Sequence, residues 1–88
     1  MEQTIRGLVL AAQGGDQQAI AQLYEQSSKK AYYLAKQLLQ NEDLAQDILQ
    51  DSYVKVFSNL HMLRQPENFQ GWLDTVVINK SKDYLKKK

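Results

Sequence analysis

The chain has 88 residues and a formal net charge of +1, with no cysteine, one proline and four glycines, so it can form one small core and not two. The absent cysteines exclude a disulfide scaffold and a cysteine zinc module, and His61 cannot hold a metal alone, so no cofactor is expected. No apolar run approaches the roughly 20 residues needed to span a bilayer, and the first residues lack the basic start and apolar stretch of a signal peptide, so a soluble cytoplasmic protein is expected.

Helical spacing dominates from the start, and strand alternation is almost absent. A short first helix is predicted over about residues 3–13, apolar on the side of Ile5, Leu8, Val9 and Ala12. Gly14 and Gly15 break it, and Asp16 suits the N-cap of a second helix running to about residue 39. Its apolar stripe is expected through Ile20, Leu23, Ser27, Ala31, Leu34 and Leu38. Asn41 can cap a third helix, with Glu42 and Asp43 in its first turn favoured by the helix dipole. That helix is predicted to reach about residue 59. Residues 60–68 contain the one proline, Pro66, and read as a loop. A fourth helix is predicted over about residues 69–87, its lysines placed where a helix C-terminus favours cations. The expected fold class is all-α: a compact four-helix domain with a short first helix and three longer ones.

Charge is sorted along this framework. Residues 41–60 carry a net −3, whereas residues 75–88 carry +4. An acidic segment and a basic tail suit two partners of opposite sign, although helical surfaces also cluster charge by chance. On the third helix, Ala45, Leu49, Ser52, Tyr53, Val56 and Leu60 share the predicted core side. The other side gathers Asp47, Gln50, Asp51, Val54 and Ser58 at helical spacing. A lone exposed valine is ordinary, but one within an acidic and amide patch also fits a docking face for a basic helix. Asp47 and Asp51 have neither a neighbouring ligand set nor an apolar pocket, which argues against a catalytic pair.

The fourth helix is expected to bury Phe69, Leu73, Val76, Val77 and Tyr84, with Trp72 at the edge. Thr75, Asn79, Lys82 and Lys86 line another side, with Asp83 beside them, while Lys80 falls toward the apolar side and extends its charge outward. Hydroxyl, amide and ammonium groups in a row can bond phosphates and base edges; a lysine-rich helix end can also merely complement the dipole.

Taken in order, Leu23-Tyr24, the run Asp47-Ile48-Leu49-Gln50-Asp51-Ser52-Tyr53-Val54-Lys55-Val56-Phe57, then Phe69-Gln70-Gly71-Trp72-Leu73 and Val77-Ile78-Asn79-Lys80-Ser81-Lys82-Asp83-Tyr84-Leu85-Lys86 resemble region two of bacterial sigma factors, most nearly the extracytoplasmic-function (ECF) group. The resemblance extends from about residue 15 to the end. It implies a transcription initiation domain whose acidic third helix binds the clamp helices of the RNA polymerase β′ subunit. It also implies that the loop and last helix recognise the promoter minus-ten element and hold the separated non-template strand.

By position, the resemblance assigns polymerase contacts to Asp47, Gln50, Asp51 and Val54. It assigns DNA contacts to His61, Arg64, Asn68, Thr75, Asn79, Lys80, Lys82, Asp83 and Lys86, with residues 61–68 forming a pocket for an extruded base. Asn79 and Asp83 fall at base contacts and the lysines at phosphates; Asp83 can accept from a cytosine amino group or pair with a lysine. Gly71 before Trp72 departs from the paired tryptophans of housekeeping sigma factors and implies less stacking area. The resemblance further implies an anti-sigma factor as a partner and no membrane association. Residues 1–88 are expected to be a single region-two domain, isolated or truncated from a longer factor whose helix-turn-helix reader of the minus-thirty-five element is absent. Two other classes stay open: a nucleic-acid-binding helical adaptor without an initiation role, and a protein-interaction bundle. No nucleophile–base pair, phosphate-cradling glycine loop or metal set points to an enzyme.

Overall fold

The computed structural model describes residues 4–87, which form α1 (Ile5–Gln13), α2 (Gln17–Leu39), α3 (Glu42–Ser58), two 3-10 turns (Leu60–Met62 and Pro66–Asn68) and α4 (Phe69–Lys86). Three of the helix starts follow from short polar side chains. Thr4 Oγ1 accepts from the Gly7 amide at 3.0 Å, and Asp16 Oδ1 accepts from the amides of Gln18 and Ala19 at 2.9 and 3.2 Å. Asn41 Oδ1 accepts from the Leu44 amide at 3.0 Å, so each cap satisfies amides that the helix itself leaves unpaired. The chain enters α4 differently, through the second 3-10 turn with Pro66 at its first position. Residue 3, where the sequence places the start of the first helix, lies outside the described residues.

Glycine is required at one turn. Gly15 has φ of +97°, which a side chain would strain, and it lets the chain reverse between α1 and Asp16. The other left-handed residue among those described is Gln40, φ +53°, whose amide closes α2 on the Lys36 carbonyl at 2.7 Å. Lys36 then pairs with Glu42 at 3.2 Å across the turn, and that carboxylate's hydrogen bond raises the lysine pKa.

Leu8, Leu23, Leu49, Leu73 and Phe69 are fully buried where the four helices meet. α2 contacts each of the other helices, and it does so through a ridge that differs from the expected stripe. Ala19, Leu23, Ser27, Ala31 and Ala35 are buried; Ile20 and Leu34 are only partly buried, and Leu38 is 38% exposed. A row of residues four apart, mostly alanine, lets α3 and α4 approach α2 closely, and Leu38 lies beyond that contact. The stretch 60–68 read as loop holds the two 3-10 turns, with Leu60 and Pro66 turned into the core.

Polar groups also cross the interior. Ser27 donates to the Leu23 carbonyl at 2.6 Å, so its oxygen is left to accept from the Tyr53 hydroxyl at 2.5 Å. Burial pushes the Tyr53 pKa up to about 12. Asp74, 13% exposed at its side chain, meets Lys30 at 3.3 Å and accepts from Gln70 at 2.9 Å. These contacts join α2 to both α3 and α4. They explain how α4 buries a carboxylate in its core face.

Candidate nucleic-acid and helix-docking interface

α3 separates its two sides as its periodicity predicts. Ala45, Leu49, Ser52, Tyr53 and Val56 are buried, whereas Asp47, Gln50, Asp51, Val54 and Ser58 are exposed. Val54 is 67% exposed, and neither Asp47 nor Asp51 forms an ion pair among the described residues. Two carboxylates one turn apart, with an amide and an apolar side chain beside them, make a surface that attracts cations and still offers something to pack against. With neither carboxylate paired to a cation among the described residues, the attraction acts over about a Debye length.

The C-terminal end of the same helix enters a cleft of about 1070 Å³. Its walls are Lys55 and Asn59 from α3, Met62, Leu63, Arg64, Gln65, Glu67 and Asn68 from the 60–68 stretch, and Gly71, Trp72 and Thr75 from α4. Met62 is 65% exposed, so apolar surface faces the opening. Indole, thioether and leucine surfaces beside three amide side chains and two cations suit a flat ring with hydrogen-bonding edges and an attached phosphate. A Cβ on Gly71 would meet nothing within 4 Å, so the glycine leaves space at the cleft without being required by its backbone.

Of the sequence-predicted DNA residues, Arg64, Asn68 and Thr75 line this cleft. His61 is exposed on the first 3-10 turn and does not line it. Asn79, Lys82, Asp83 and Lys86 are exposed further along α4, and Lys80 is partly buried, in keeping with its aliphatic stem lying along the apolar side. Tyr84 is partly rather than fully buried, and Trp72 sits at the edge as its spacing predicts. Thr75 is already committed: its hydroxyl donates to the Gly71 carbonyl at 2.9 Å. The oxygen can therefore accept from a base amino group, but in this geometry it gives no hydrogen to a phosphate. Asn68 donates to Gln65 Oε1 at 2.9 Å, which fixes both amides at the cleft.

Met62, Leu63, Gln65 and Glu67 lie within the stretch 61–68 that the sequence reading assigns to the pocket, though it names none of them as a contact, and it misses Lys55 and Asn59. The spacing of Lys55 and Asn59, four and eight residues after Asp51, was the available signal for both. α1 supports the cleft from behind. Gln13 Nε2 donates to the carbonyls of Leu60 and Leu63, each at 3.0 Å, and Arg6 pairs with Glu67 at 3.2 Å. Among the described residues, no three His, Cys, Asp or Glu side chains group to hold a metal, and no helix is long and apolar enough to cross a membrane.

Residues 23–88 match the family model described as Sigma-70 region 2. Over all 88 residues the chain is 28% identical to the ECF RNA polymerase sigma factor SigW of Bacillus subtilis, covering 47% of that protein. It is 31% identical over 77 residues to the ECF RNA polymerase sigma factor SigE of Mycolicibacterium smegmatis, with 84% of this chain and 30% of that one aligned. An ECF RNA polymerase sigma-E factor of Haemophilus influenzae is 28% identical over 82 residues, which are 93% of this chain and 43% of the relative. The chain thus spans less than half the length of these relatives. No solved structure matches it.

Proposed function

The chain belongs to the sigma-70 region 2 family, and from that premise we propose that it is the part of an ECF-type transcription initiation factor that joins RNA polymerase to melted promoter DNA. In this reading Asp47, Gln50 and Asp51 bond the basic clamp helices of the β′ subunit, and Val54 packs against them. The non-template strand of the minus-ten element runs along α4, its phosphates met by Lys80, Lys82 and Lys86 and its bases by Asn79 and Asp83. One extruded base enters the cleft beside Arg64, Asn68 and Thr75. Flipping a base costs a few kcal/mol of stacking, which contacts to Trp72 and to the amide side chains offset. No covalent chemistry is required of the chain. It acts in the cytoplasm, where polymerase and promoter are, and an anti-sigma factor is a further partner of this reading.

The observation that carries the proposal is the pairing of two unlike surfaces on α3: an unpaired acidic face with an exposed valine, and a cleft of rings, amides and cations at the helix end. The test is calorimetric titration with a β′ clamp-helix fragment. Reversing Asp47 and Asp51 to lysine should abolish binding, because two attractive pairs become repulsive at contact distance. Unchanged affinity would refute the docking assignment. In a second titration, single-stranded minus-ten DNA should bind more tightly than the same sequence as duplex, and equal affinity for scrambled single strands would remove base recognition.

A further inference from the structure

The cleft owes its shape to a side chain that does not line it. Between the buried Leu60 and Pro66, Leu63 alone packs against the core, half-buried, while residues 61, 62, 64 and 65 are exposed. Gln13 adds a polar tie to that packing. Its side-chain amide has two hydrogens, and Nε2 lies 3.0 Å from both the Leu60 and the Leu63 carbonyl oxygens. The Leu60 carbonyl also accepts from the Leu63 amide at 3.0 Å, so one nitrogen spans both ends of the first 3-10 turn. Met62 lies inside the span and Arg64 follows it directly, and both line the cleft.

Gln13 is itself well placed to act as a fixed point. It is the last residue of α1, whose Leu8, Val9 and Ala12 are buried in the core, and the Gly14–Gly15 turn closes behind it. A side chain carried by a packed helix transmits that rigidity to whatever it bonds. The Arg6–Glu67 pair is exposed at both ends and adds little by comparison. Residue 13 also precedes the matched residues 23–88, so correspondence with the family model assigns it no role.

We propose that Gln13 is a positioning residue for base recognition: by bonding both carbonyls it holds Met62, Leu63 and Arg64 in the arrangement that discriminates the base in the cleft. The proposal rests on the cleft being a base-binding site. Gln13→Met keeps the length and helix preference but has no donor, whereas Gln13→Lys restores a donor on a flexible stem one bond longer, which can fold back to the same carbonyls. The probe is a short single strand enriched by the wild-type chain from a randomised pool, compared with its single-base variants by fluorescence anisotropy. Independent readouts are amide hydrogen exchange over residues 60–65 and acrylamide quenching of Trp72, the one tryptophan, which lines the cleft.

For Gln13→Met, exchange in the turn should accelerate and Trp72 quenching should rise. Discrimination at one base position should fall about tenfold while the remaining positions keep theirs, as expected for the loss of two modest hydrogen bonds. Gln13→Lys should recover all three. Wild-type exchange and quenching in Gln13→Met would overturn the positioning role. A uniform loss across all strands, or no rescue by lysine, would overturn the recognition role. If the wild type itself discriminates no base, the base-binding reading fails and the recognition role with it, while exchange and quenching still decide whether Gln13 shapes the turn.

Discussion

Ser81→Ala should make this protein more stable. Ser81 is fully buried on α4, and its hydroxyl oxygen has no hydrogen-bond partner among the described residues. An unsatisfied buried hydroxyl costs about 1–3 kcal/mol, all of which alanine removes. Alanine also favours the helix by about 0.5 kcal/mol, against a few tenths lost to the small void that the oxygen leaves. The net gain is about 1–3 kcal/mol, which in a domain of this size raises the melting temperature by about 5–25 °C. Thermal and urea unfolding followed by circular dichroism would measure it. Two other buried serines are the controls. Ser52 donates back to the Ile48 carbonyl at 2.7 Å within its own helix, so Ser52→Ala should change stability by less than about 0.5 kcal/mol. Ser27→Ala leaves the Tyr53 hydroxyl with only the Tyr24 carbonyl at 3.5 Å, and should cost about 1–2 kcal/mol. Destabilisation by Ser81→Ala, or the same shift at all three positions, would refute the reasoning.

Tyr53 predicts a pH dependence. Its folded pKa is raised from 10.0 to about 12, so the folded state holds the proton that the unfolded chain releases, and the contribution present below pH 10 is lost as pH rises toward 12. About 3 kcal/mol should disappear over that window in urea titrations, and Tyr53→Phe should flatten it relative to the wild type; parallel curves would contradict the assignment. For the strand along α4, three lysine–phosphate contacts predict a slope of log affinity against log salt near −2, and replacing Lys82 and Lys86 by alanine should bring it to about −0.7. An unchanged slope would move the phosphate path off α4.

The faces of α3 were legible because one strong helical period both buries and exposes residues, and every side chain there answers to its own helix. α2 was less so. Its ridge is built of Ala19, Ala31 and Ala35, which a hydrophobic pattern undervalues, and close approach of two neighbouring helices decides their burial. Asp74 reads as surface charge until Lys30 and Gln70 are seen to meet it from α2 and from the preceding turn of α4. The cleft was half-legible. Arg64, Asn68 and Thr75 carry polar chemistry that sequence can flag, but the backbone between them is shaped by Gln13, a contact between residues far apart in the chain that no local periodicity registers.

α3 is also a measuring rod. Asp51 faces the proposed polymerase contact and Asn59 lines the cleft, eight residues later in the sequence. At 1.5 Å per residue, an unbroken helix through Ser58 fixes their separation at about 12 Å along its axis. A clamp helix docked on the acidic face would then set the distance at which an extruded base finds its cleft, with no joint between them to absorb error. Substitutions along this span change affinity for one partner or the other. An inserted residue does something different, turning the acidic face by about 100° relative to the cleft and misaligning two contacts that are each intact.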